Sequence, residues 1–151
     1  MKLERITKQS KDFEAALDLF WGTWGSEDNR MFYGDCMRNA SGDDVPRFYV
    51  VRDGENMIGT VALLRNELVS RQDLTPWLAC LFVNSDYRGQ GIGFKMMEEV
   101  CREAASLGYE YVHLSTDLEG YYEKAGWTYF DEFYGLGGGK IKVYRSPLLN
   151  G

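Results

Sequence analysis

The chain has 151 residues, a formal net charge of −6 and a pI of about 4.8. That length suits one domain, 1–151, with a proper core, and the acidic balance speaks against nucleic acid and for a cationic partner such as an amine. No apolar run approaches the ~20 residues of a membrane helix, and three cysteines without C-x-x-C spacing (Cys36, Cys80, Cys101) point to reduced thiols in the cytoplasm.

The start, Met1-Lys2-Leu3-Glu4-Arg5, lacks the apolar segment of a signal peptide. One histidine, His113, leaves no multi-histidine metal site within the chain, so no metal is expected. Leu3 to Lys8 predicts a first strand, with Ser10 as N-cap of a helix whose face carries Phe13, Leu17, Phe20 and Trp24. Gly22 and Gly25 weaken its end. A second helix is predicted over Glu27 to Asn39, with Met31, Phe32 and Met37 as its apolar members, and a loop follows to Asp44. Arg47 to Arg52 and Met57 to Leu64 read as two strands joined by a turn containing Asp53-Gly54.

Asn66 to Thr75 is polar and loop-like, and Trp77 to Val83 is apolar enough for a strand buried on both faces. A turn at Asn84-Ser85-Asp86 leads through Tyr87 to Arg88-Gly89-Gln90-Gly91-Ile92-Gly93. A helix then runs to Leu107 with Ile92, Met96, Val100 and Ala104 on one stripe, ended by Gly108. Tyr109 to Leu114 predicts a strand that holds His113 as a structural residue. Thr116 and Glu119 form a capping-box pattern for a short helix to Ala125. Trp127 to Phe133 and Ile141 to Arg145 make a last hairpin. The order β-α-α-β-β-β-α-β-α-β-β is α/β with a mixed sheet.

The chemistry concentrates between Thr75 and Leu107. A buried strand, a glycine turn and a helix start form a ready anion site: glycines let backbone approach the ligand, and the first helical amides lack internal partners. A Walker loop would need Lys followed by Ser or Thr, which Phe94-Lys95-Met96 does not supply. A dinucleotide loop would need G-x-G-x-x-G, whereas Gly89, Gly91 and Gly93 run G-x-G-x-G.

Arg88, Gly91 and Gly93 match R-x-x-G-x-G, and Tyr121-Tyr122-Glu123-Lys124-Ala125-Gly126-Trp127 follows downstream. Together these resemble the two motifs of the GCN5-related N-acetyltransferase (GNAT) family, in detail over Thr75 to Phe130. The resemblance implies a single-domain fold with a mixed, mostly antiparallel sheet flanked by helices, and acetyl-CoA as co-substrate. It implies that Leu81, Phe82 and Val83 pair their backbone with the pantetheine arm, and that Arg88, Gly89, Gln90, Gly91, Ile92 and Gly93 take the pyrophosphate.

It also implies Tyr122 as general acid, since a phenol with a pKa of ~10 keeps a proton to give to a departing thiolate. Tyr121 fits by type, and only the motif register chooses Tyr122; packing is the competing account of that ring. Many family members carry a carboxylate on the strand before the glycine turn, and Trp77 to Val83 has none. Asp117 is the best alternative base, with helix capping as the equal explanation; Glu27 and Asp28 follow. Trp21, Trp24, Phe32 and Tyr33 are candidate pocket walls, with Trp24, Glu27 and Tyr33 as the substrate-facing set, although Trp24 also fits the packing stripe of its helix. The expected activity is acetyl transfer to a small primary amine. A non-catalytic acyl-CoA sensor and a protein or peptide lysine acetyltransferase stay open, and the last hairpin could pair with a second subunit.

Overall fold

The computed structural model describes residues 2–149. Seven strands form one sheet: β1 (Leu3–Ile6), β2 (Arg47–Asp53), β3 (Asn56–Leu64), β4 (Trp77–Val83), β5 (His113–Thr116), β6 (Thr128–Tyr134) and β7 (Lys140–Arg145). The spatial order is β1-β2-β3-β4-β5-β7-β6. All neighbours are antiparallel except β4 and β5. Among the described residues three helices flank the sheet, α1 (Phe13–Trp24), α2 (Arg30–Arg38) and α3 (Ile92–Ser106), with short 3-10 turns at Ser85–Tyr87 and Tyr122–Ala125.

The period of two sorts β2 and β3 onto the two faces. Phe48, Val50 and Ala62 pack with Phe13, Leu17 and Phe20 of α1 and Met37 of α2. Tyr49, Val51, Val61 and Leu63 pack with Met96, Met97, Val100 and Ala104 of α3. Helices therefore cover both faces, which is why β2 and β3 read as nearly unbroken apolar runs. No described helix is long and apolar enough to cross a membrane.

Several boundaries differ from the sequence expectation. Ser10 does not cap α1: its hydroxyl accepts from the Thr7 amide at 2.8 Å, and the N-cap is Asp12, whose carboxylate holds Arg52 at 2.6 Å. The second helix begins at Arg30 because Asn29 accepts from the Ser26 amide and turns the chain first. Its predicted apolar members Met31 and Phe32 are exposed, and only Met37 is in the core. The strand predicted over Tyr109 to Leu114 lies later, at His113–Thr116. Tyr109 is taken up by the end of α3, where its amide bonds the Ala104 carbonyl, and Gly108 adopts φ +91 just past the last helical turn. The helix predicted from Thr116 to Ala125 shrinks to the 3-10 turn. Thr116 accepts locally from the Leu118 amide, and Glu119 reaches Lys142 of β7 instead of closing a capping box.

Candidate active site

The site begins with a defect in the β3–β4 ladder. Thr60 faces Phe82 and Ala62 faces Ala79, so Cys80 and Leu81 together oppose Val61. Cys80 has φ +55, a left-handed backbone for a non-glycine residue. Such a bulge bends the strand and re-aims its amides. The bend is pinned by the buried Thr60, whose hydroxyl donates to the Cys80 carbonyl at 2.8 Å and accepts from the Trp24 indole at 3.3 Å.

Beyond the bulge β4 leaves its other neighbour. β4 and β5 pair only at Trp77 and His113, although β4 continues to Val83 and β5 to Thr116. The strands part, and a cleft of about 520 Å³ lies along the end of β4, bounded by the start of α3 and by Leu118, Tyr121 and Tyr122 of the segment after β5. Trp77 to Ala79 are fully buried, but Cys80 to Val83 are only half-buried, so the expectation of burial on both faces holds for the first half of the strand alone.

Leu81, Phe82 and Val83 form one wall of the cleft, and the glycine turn with the first residues of α3 forms its mouth. Gly89 and Gly91 adopt φ +80 and +75, which a side-chain-bearing residue would resist. Gly91 caps α3 without a side-chain bond, and the first turn carries no acid. The leading amides of a fifteen-residue helix are thus left for a ligand, with the positive end of the helix dipole behind them. An extended acyl-CoA fits this arrangement: anionic phosphates at the helix start and an amide-bearing arm along the bent strand. Gln90 is exposed and off the cleft wall. Arg88 folds back so that its Nε donates to the Val83 carbonyl at 3.0 Å.

The far wall is aromatic. Tyr121 stacks on Phe94 with centroids 5.1 Å apart, and its hydroxyl lies 3.2 Å from where a Cβ on Gly93 would be. That places Tyr121 against the start of α3. Tyr122 packs edge-on to Tyr121, lies against the α3-side core and has the Thr116 side chain beside it. Burial, then the neighbouring Tyr121 and Glu67, raise its pKa, while the adjacent Thr116 side chain opposes them. The phenol is protonated at neutral pH.

The remaining candidates separate. Trp24 is 43% exposed and lines the cleft, so it is not on the buried stripe of α1. Tyr33 faces Cys80 and Cys36 on the α2 side, where burial raises its pKa. Glu27 and Asp117 are exposed and absent from the cleft wall. Burial pushes the Cys80 thiol up to about 12, which keeps it protonated and inert as a nucleophile. Buried His113 is structural: Arg145 donates to its Nε2 at 3.2 Å and its Nδ1 faces the Pro76 carbonyl. Sequence reasoning missed one group, Glu67. It lies in the β3–β4 loop, off the cleft wall but largely buried, bonds Ser115 of β5 at 3.2 Å, and burial pushes its carboxyl up to about 7. Its polar loop surroundings carried no signal of this.

A split sheet with an open helix start at the mouth of the split defines a CoA-dependent acyltransferase. The acetyltransferase (GNAT) family profile matches residues 13–127, and the chain belongs to that family: it is an N-acetyltransferase that uses acetyl-CoA. Among solved structures, an aminoglycoside 6'-N-acetyltransferase complexed with coenzyme A superposes with TM-score 0.71 at 16% identity, covering 99% of this chain and 97% of that one. An IAA acetyltransferase from Bacillus cereus superposes with TM-score 0.63 at 20% identity, covering 97% and 99%. A GNAT acetyltransferase from Elizabethkingia anophelis with acetyl-CoA bound gives 0.64 at 15%, covering 97% of each. At these identities the likeness is one of fold. No curated protein matches the chain in sequence.

Proposed function

We propose that the chain transfers the acetyl group of acetyl-CoA directly to a primary amine of a small molecule, with Tyr122 protonating the departing thiolate. The observation that supports this reading is that Tyr122 is a protonated phenol on the cleft wall, while the neighbouring Tyr121 is stacked on Phe94 at the start of α3. Leu81 to Val83 would hold the arm as a strand partner, and an amide of the bent strand would face the carbonyl oxygen as negative charge grows on it. The leading amides of α3 would hold the pyrophosphate, with Arg88 adding charge.

A net charge of −6 supports a cationic acceptor. So does the aromatic Trp24 at the cleft wall. The fold is shared with an aminoglycoside 6'-N-acetyltransferase, which makes aminoglycosides one arm of a panel of small amines.

The test is thiol release from acetyl-CoA across that panel, with calorimetric binding of acetyl-CoA alongside. Wild type binds acetyl-CoA and releases thiol only with an amine. Tyr122→Phe keeps the binding and loses about 100-fold in kcat. Binding without turnover on any small amine would overturn the small-molecule reading and turn the search to peptide lysines or a sensor role.

A further inference from the structure

We infer that Glu67 is the general base of this enzyme, receiving the proton of the incoming ammonium beside β5, where Ser115 donates to it. This rests on the acetyl-transfer reading above and supplies the group it lacks.

The loop between β3 and β4 is built to place this one side chain. In the run Glu67-Leu68-Val69 the leucine is 64% exposed, the valine is 1% exposed, and the acid points inward. Leu68 has φ +58, an unfavourable backbone for a leucine, and that twist is what turns its side chain out and the acid in. Asn66 locks the turn: its Oδ1 accepts from the Val69 amide and from Gln72, and its Nδ2 donates to the Arg71 carbonyl. The loop is also stitched to β6 by a pair of bonds between Ser70 and Tyr134. A merely solvated acid would need none of this.

The groups facing Glu67 come from each neighbouring element. Ser115 of β5 donates to it, the Cys80 thiol of β4 lies within range of its charge, and so does the Tyr122 phenol. No lysine or arginine pairs with it among the described residues. A base needs such a setting, in which its proton affinity is raised but a hydrogen bond still holds it in place.

The sidedness also fits. Consecutive residues of a strand point to opposite faces. Ser115 donates to Glu67 and the Thr116 side chain lies beside Tyr122, so carboxylate and phenol sit on opposite faces of β5. The cores agree: Cys80 packs with the α1 and α2 side, and Tyr122 with the α3 side. An amine entering from the Glu67 face meets a thioester whose sulfur leaves toward Tyr122.

The protons balance. Glu67 takes one proton from R–NH3+, and the freed lone pair forms the C–N bond to the thioester carbon. The C–S bonding pair leaves on sulfur, which takes the Tyr122 proton. The acylated nitrogen returns its surplus proton to the Tyr122 phenolate, and Glu67 releases its proton to solvent. The sum is amide, thiol and one H+.

The experiment is kcat/KM against pH for the best amine, in wild type, Glu67→Gln and Ser115→Ala, with acetyl-CoA affinity measured for each. Wild type should show an ascending limb near the Glu67 value of about 7. Glu67→Gln should lose about 100-fold at neutral pH with acetyl-CoA affinity unchanged, and its residual rate should climb only as the free amine accumulates. Ser115→Ala removes the bond that favours the charged carboxylate, so its limb should move to higher pH. A Glu67→Gln enzyme that keeps its rate and its limb would overturn the inference while leaving acetyl transfer standing. If Glu67→Gln does not fold, an unmoved limb in Ser115→Ala does the same. No turnover by wild type on any amine would overturn both proposals together.

Discussion

Gly93 shows how tightly single residues set the mouth of the cleft. It lies one turn-residue inside α3, and the Tyr121 hydroxyl occupies the place next to its missing Cβ, at 3.2 Å. Tyr121 cannot easily yield, because its ring is stacked on Phe94. Gly93→Val should therefore push that ring into the cleft. The expected result is acetyl-CoA binding weakened at least tenfold, about 1.4 kcal/mol, with little change in thermal stability, since Gly93 is only half-buried. Calorimetry and a melting curve on the same sample separate the two. An affinity equal to wild type would mean that the pyrophosphate does not approach this end of the helix.

Among elements, the bulged β4 strand governs the site. Its bend is held by the buried Thr60 hydroxyl, which bonds the Cys80 carbonyl on one side and Trp24 on the other. Thr60→Val keeps the shape and removes both bonds, so it should cost about 1–3 kcal/mol for the unpaired groups and also weaken acetyl-CoA by releasing the strand amides. Chemical denaturation and calorimetry read both; a stability loss with unchanged affinity would show that the bulge holds itself. This element also marks how far the sequence is legible. The strand, glycine turn and helix that line the cleft are local: each depends on residues adjacent in the chain, and they stand where the apolar run and Arg88 to Gly93 put them. The bulge at Cys80 depends on Thr60 across the ladder, and no local pattern announces it. The capping box at Thr116 failed for the same reason, because Glu119 found Lys142 from another strand. Glu67 was hidden most deeply. Its inward turn depends on Asn66, Leu68 and the Ser70 bonds to β6, and it stands well before the strand on which a carboxylate was sought. Trp24 sits on the spacing of the α1 stripe yet points into the cleft, since the stripe's period says nothing of where the core ends.

In the whole molecule, Glu67 and His113 act on stability with opposite sign. His113 is 3% exposed, and burial and then Arg145 lower its pKa from 6.5 to about 4. The unfolded chain binds a proton there that the native ring refuses, so stability falls as pH drops from about 6.5 toward 4. Glu67 goes the other way: burial raises its pKa from 4.5 to about 7. The native carboxyl holds a proton that the unfolded chain has given up, so stability is lost as pH rises from about 4.5 through 7. Each effect is worth up to about 3 kcal/mol when fully developed. Between about 4.5 and 6.5 the two slopes oppose and wild-type stability should be nearly flat, so far as these two groups set it. Glu67→Gln removes one of them. The variant should melt higher than wild type at pH 8, match it near pH 4, and show a stability that climbs with pH where wild type stays level. A site that lowers the stability of its host while serving the chemistry is the usual sign of a functional group, because burying an unpaired acid has no packing benefit. Melting curves of the two proteins at matched pH values decide it. An equal destabilisation of Glu67→Gln at every pH would mean that the carboxylate is a structural partner of Ser115 and not an acid kept for use.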